Sequence, residues 1–136
     1  MRTLEVSAVD SNLNTVMTFV DEALEELGCS FKAQMQIDVA VEELFINIAH
    51  YAYAPDTGDA VIATDFNEET GIFSILFTDS GVPYDPLAKP DPDVTASVDE
   101  RQIGGLGIFM VKKSMDDMVY EYKDGQNILR ISKKIV

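Results

Sequence analysis

Cysteine is nearly absent: Cys29 is the only one in 136 residues, so no intrachain disulfide can form. The fold must rest on a hydrophobic core. With a lone thiol and no signal-like N-terminus, the sequence reads as cytoplasmic. Histidine is as scarce. His50 stands alone, and with Cys29 and scattered carboxylates it makes neither a zinc spacing nor a Ser-His-Asp order. Basic residues are few, ten Lys and Arg against 24 Asp and Glu, for a net charge of −14. Such a balance argues against direct nucleic-acid binding, which needs a basic footprint, and against docking on an anionic membrane. No apolar run approaches the ~20 residues of a membrane span.

Hydrophobic residues make up 46% of the chain and charged residues 25%, enough for a single domain over residues 1–136. The charge is lopsided. Residues 1–100 hold 3 basic and 20 acidic side chains, whereas residues 101–136 hold 7 and 4. An anion, if one binds, belongs near the segment that begins at Arg101.

Period-2 alternation at Leu4, Val6 and Ala8 predicts a strand over 2–8. Helical spacing of Leu13, Val16, Met17, Val20, Leu24 and Leu27 predicts a helix over 11–27, capped by Asp10 or Ser11 and ended by Gly28. A second helix is expected over 31–52 with Ser30 as cap, apolar nearly all round from Val39 to Ala49 and so buried on most sides. Strands follow at 60–66 and 72–78, a helix at 105–116, and a hairpin of 118–123 and 127–135 turning at Asp124-Gly125. This order predicts an α+β fold: a two-layer sandwich whose mixed, mostly antiparallel sheet carries three helices on one face. Residues 85–103 break the pattern. Pro86, Pro90 and Pro92 punctuate a stretch without apolar periodicity, the kind of long loop that often serves as a lid.

Three places carry polar groups where packing alone would not put them. Glu43 and Asn47 lie four apart on one face of the second helix, among apolar neighbours. Either they form a helix-to-loop network, or they serve a cavity in which the amide oxygen suits Mg²⁺ and the carboxylate accepts a proton. Asp79 keeps the inward parity of Phe73, Ile75 and Phe77. It begins a turn, or it awaits a donor such as the exocyclic amine of adenine, with Gly81 leaving room for a flat ring. Gly104, Gly105, Leu106 and Gly107 open the third helix behind Arg101. They are a hinge, or a set of amides for phosphate. The spacing fits neither a P-loop nor the dinucleotide fingerprint.

The stretches VEELFINIAHYAY (41–53), FTDSGVPYDPL (77–87) and ERQIGGLGIFMVKKSMDDMVYEY (100–122) taken in that order resemble the GHKL superfamily, the histidine kinase-like ATPases of the Bergerat fold. Within it, the chain is similar to bacterial anti-sigma factor serine/threonine protein kinases. The resemblance implies ATP and Mg²⁺ as cofactors. It makes Glu43 the general base, Asn47 the Mg²⁺ ligand and Asp79 the adenine-reading carboxylate beside Gly81. Arg101 becomes a phosphate contact, and Gly104, Gly105, Leu106 and Gly107 frame the triphosphate. The implied partners are a sigma factor to sequester and an anti-sigma factor antagonist to phosphorylate, with a homodimer suggested. Where such proteins often carry His, this chain has Tyr51, and the neighbouring His50 is read as structural. The alternative is a non-catalytic, ATP-gated module that switches a partner protein; an intact Glu43 favours the kinase.

Overall fold

The structure, a computed structural model, describes residues 1–88 and 105–136. Strand β1 (Arg2–Ser7) leads through a 3-10 turn (Asp10–Asn12) into helix α1 (Leu13–Glu26) and then helix α2 (Phe31–Asn47). A π-helical turn (Ile48–Ala52) precedes strands β2 (Asp59–Asn67) and β3 (Ile72–Asp79). Helix α3 (Gly105–Ser114) and strands β4 (Asp117–Lys123) and β5 (Gln126–Lys134) complete the chain.

The five strands form one sheet in the order β1-β2-β3-β5-β4. It was expected to be mixed, but all four pairings are antiparallel. Two features explain this. Helices α1 and α2 return the chain to the end of the sheet where β1 stopped, since Ser7 pairs with Asp59. Strand β5 then slots between β3 and β4, the two strands that run the same way, and keeps them apart.

Alternation sorts the sheet into two faces. Ala60, Ile62, Phe73, Ile75, Phe77, Leu129 and Ile131 point to one face. There they join Val16, Val20 and Leu24 of α1, Ile37, Val41, Leu44 and Phe45 of α2, and Ile108 and Val111 of α3 in a continuous core. The helices thus lie on one face, with α2 flanked by α1 and α3. The opposite face is lined by residues such as Ser74 and Ser132, whose hydroxyls bond at 2.9 Å.

Local chemistry fixes the element ends. Ser30 caps α2 by accepting from the Ala33 amide at 3.2 Å. Gly28 ends the preceding helix region at φ +69°, and Asp124-Gly125 turns the hairpin with both residues at positive φ. The start of α1 differs from expectation. Asp10 and Ser11 lie in the 3-10 turn, and Asn12 at the cap position donates back to the Ser7 carbonyl at 2.8 Å instead of capping. Helix α2 also differs from a fully buried rod: Val39 is 55% exposed and Met35 50%. With the sheet beneath and a helix on either side, its outer face stays open.

Candidate active site

The predicted site residues were drawn from three elements at one end of the sheet. Asp79 closes β3 and Asn127 opens β5 directly opposite it in the antiparallel register. Both are 6% exposed. Above them α2 ends at Asn47, where the helix relaxes into the π-helical turn (a local widening common at functional sites). The expected helix over 31–52 is therefore two pieces.

A cavity of about 120 Å³ opens between this helix end and the sheet. Leu44, Ile48, Phe77, Val82 and Leu129 give it apolar walls, and Asn47, Asp79, Tyr84, Tyr120 and Asn127 supply polar groups. Flat apolar walls with a few convergent polar groups are what an aromatic base requires.

Asp79 is held firmly. Its Oδ1 accepts from the Gly81 amide at 2.9 Å and from Asn127 Nδ2 at 2.9 Å. Among the described residues no hydrogen bond reaches Oδ2, so that oxygen remains for a donor in the cavity. Gly81 does not line the cavity. The space a Cβ would take is filled by the backbone of Ala52, and Val82 N–H donates to the Ala52 carbonyl at 2.9 Å. The close approach that requires glycine here is between two backbones.

Glu43 lies one helical turn before Asn47, whose side-chain amide favours the charged carboxylate. Burial pushes the Glu43 carboxyl above its usual range, the charge of Glu42 adds to this, and the Asn47 amide opposes both. A Cβ on Gly107 would collide with the Glu43 carboxylate. Glycine at 107 thus lets the first turn of α3 settle onto Glu43, with Gly105 and Leu106 opening that helix. Asn47 and Asp79 thus line the hollow, and Glu43 and Gly107 meet one helical turn away from it. Arg101 and Gly104 lie outside the described residues, as does most of the expected lid loop 85–103, from residue 89 onward.

Residues that sequence reasoning missed complete the site. Asn127 is the main one, and its signal was available: Asn127, Leu129 and Ile131 share one inward parity, and a polar residue there needs partners. Tyr53 is another. Its hydroxyl donates to the Asp59 carbonyl at 2.6 Å and accepts from the Ser80 amide at 2.8 Å, tying β2 to the segment after β3. His50 makes a structural contact, as expected of it. Its Nε2 lies 2.8 Å from Asp10 Oδ1 and anchors the π-helical turn.

The residues fit the cofactors that the resemblance implies. Among the described residues no group of three or more His, Cys, Asp or Glu could hold a metal. Mg²⁺ takes one or two protein oxygens and fills its sphere with water and phosphate. The Asn47 side-chain oxygen at the cavity edge is of that kind and would hold the ion. No described helix is long and apolar enough to cross a membrane.

Comparison with known proteins agrees with this geometry. The chain is 24% identical over 130 residues to the serine/threonine-protein kinase BtrW of Bordetella bronchiseptica, covering 96% of this chain and 91% of that protein. It is 26% identical over 107 residues to the serine-protein kinase RsbW of Bacillus cereus, covering 76% of this chain and 66% of that one. Among solved structures, the RsbU and RsbW domains of a Mycobacterium tuberculosis protein match with a TM-score of 0.68 at 16% identity. That match covers 99% of this chain but 33% of the other. The SiaB-SiaC complex of Pseudomonas aeruginosa matches with a TM-score of 0.61 at 16% identity, covering 98% and 89%. The family model for the histidine kinase-like ATPase domain matches residues 6–133, nearly the whole chain, which therefore belongs to that family.

Proposed function

We propose that this protein is an ATP-dependent serine/threonine protein kinase of the anti-sigma type. It phosphorylates an anti-sigma factor antagonist and sequesters a sigma factor. One observation carries the reading: Asn47 and Asp79 line one hollow at the end of α2, with Glu43 one helical turn before Asn47 and against Gly107. Similarity to proteins named as serine and serine/threonine kinases supports it. The SiaB-SiaC structure, which shares this fold, is that of a complex with a partner protein.

In this reading the apolar walls hold the adenine ring and Asp79 Oδ2 accepts from its 6-amino group. Gly81 keeps the Val82–Tyr84 wall close to Ala52. The amides of Gly104, Gly105, Leu106 and Gly107 and the Arg101 guanidinium supply local positive potential to the triphosphate of a protein that is otherwise strongly acidic. Asn47 would hold Mg²⁺, which would neutralise charge on the phosphate oxygens. Glu43 takes the proton from the partner's serine or threonine hydroxyl as that oxygen bonds to the γ-phosphorus and the bond from that phosphorus to the β–γ bridging oxygen breaks, releasing ADP. A carboxyl raised by burial is better matched to that task than an exposed one. The protein would work in the cytoplasm, as a homodimer.

Incubation with candidate antagonist proteins and γ-labelled ATP tests this. Glu43→Gln should retain nucleotide binding and lose phosphate transfer by about 10²-fold or more. Transfer at the parent rate would remove Glu43 as base. ATP affinity that is the same with and without Mg²⁺ would remove Asn47 as metal ligand.

A further inference from the structure

Asn127 is saturated. Its Nδ2 donates to Asp79 Oδ1 at 2.9 Å and to the Val82 carbonyl at 2.8 Å. Its Oδ1 accepts from the Tyr84 amide at 3.0 Å and from the Tyr120 hydroxyl. An amide side chain has two donors and two acceptor sites, and all four are used. The neighbours also fix which end is which. A flipped amide would set its NH₂ against the Tyr84 N–H and its oxygen against the Val82 carbonyl. Asn127 therefore has nothing left to offer a ligand, although it lines the cavity.

We infer that Asn127 is a positioning residue for purine selectivity: it clamps Asp79 so that Oδ2 alone faces the base, and it fixes the Val82–Tyr84 wall against which the ring lies. The inference rests on the nucleotide reading above. Three observations support it. Asp79 and Asn127 are paired across β3 and β5, so backbone register as well as the side-chain bond holds them together. With Gly81 N–H and Asn127 Nδ2 both on Oδ1, rotation of the Asp79 carboxylate would break two bonds in a buried place. The wall is tied at both ends of Asn127's amide, through the Val82 carbonyl and the Tyr84 amide. Selectivity for a 6-amino over a 6-unsubstituted or 6-oxo purine then depends on a residue that never touches the base.

The test compares ATP with purine riboside 5′-triphosphate, which differs only in lacking the 6-amino group, by calorimetry on the whole chain. The parent should prefer ATP by about tenfold or more, the value of one hydrogen bond to a charged group. Asn127→Ala, and the near-isosteric Asn127→Asp, should reduce that preference below about threefold, chiefly through weaker ATP binding. Combining either with Asp79→Asn should cost little further selectivity, because both act through one carboxylate. A merely structural role would weaken both nucleotides equally and leave the ratio intact, which overturns the inference alone. A parent that binds neither nucleotide overturns the nucleotide reading and this inference with it. If neither Asn127 variant folds, NMR of the parent decides. The Asn127 side-chain amide protons must exchange slowly and move in Asp79→Asn; rapid exchange overturns the clamp.

Discussion

Asp79 and Asp38 both have an oxygen shut away from water, yet their company differs. Asp79 meets two donors, an amide side chain from β5 and a backbone N–H from the following turn. Asp38 on α2 meets another acid, Asp21 on α1, and each has a buried Oδ1 with no hydrogen-bond partner. The Asp38 carboxyl is pushed up to about 7, first by burial, then by the Asp21 carboxyl beside it and by the charge of Glu25. Burial pushes the Cys29 thiol up, the charge of nearby Asp38 adds to this, and Lys133 opposes both. The site acid is thus furnished with donors and keeps an oxygen for a ligand. The Asp38 carboxyl, facing another acid and no donor among the described residues, holds its proton more tightly instead. Burial of a carboxylate does not by itself mark a binding site; the donors around it do.

Three substitutions bear on that contrast. The largest effect is expected at Asp79. In Asp79→Asn, Oδ1 can still accept from Gly81 and Asn127, which turns an NH₂ toward the cavity. ATP affinity should fall about 10- to 100-fold while GTP, with a 6-oxo group, falls less; equal losses in competition binding would remove Asp79 from base recognition. Gly81→Ala comes next. Its Cβ would meet the Ala52 backbone, which has no flexible end to yield. A loss of about 2 kcal/mol in denaturant unfolding is expected, with the Val82-to-Ala52 bond disrupted; an unchanged midpoint would mean the wall is not tethered as described.

The smallest effect has the opposite sign. The folded state holds a proton on Asp38 that the unfolded chain releases near the ordinary value of 3.8. Stability from this group is therefore full below about pH 4, declines as pH rises toward 7, and stays low above it. Asp38→Asn removes the charge and lets an NH₂ donate to Asp21. At pH 8 it should stabilise the protein by about 1 kcal/mol, a fraction of the full linkage because the pair is partly open to solvent. At pH 4 the variant should melt with the parent, and a variant less stable at pH 8 would show that the pair is not strained.

Much of this was legible in the sequence because short-range rules govern it. Period-2 and period-3.6 patterns marked the strands and helices, Ser30 and Asp124-Gly125 marked a cap and a turn, and Glu43 and Asn47 stood out as polar residues in an apolar helix. The rest depends on long-range pairing. Asn127 acquires its role only when β5 inserts beside β3, and Asp21 and Asp38 meet only when α1 packs on α2. Neither pairing has a local signature. Gly81 was read as making room for a ring, whereas the room it makes is filled by Ala52, whose placement depends on the π-helical turn. That turn has no pattern distinct from the helix before it.

The Ala52 tether to Val82 bears on inhibitor discovery. It fastens the Val82 side of the hollow to the scaffold, so that side is preorganised before any ligand arrives. A small flat heterocycle would have little chain to order on entering. That side is thus a foothold for fragment ligands.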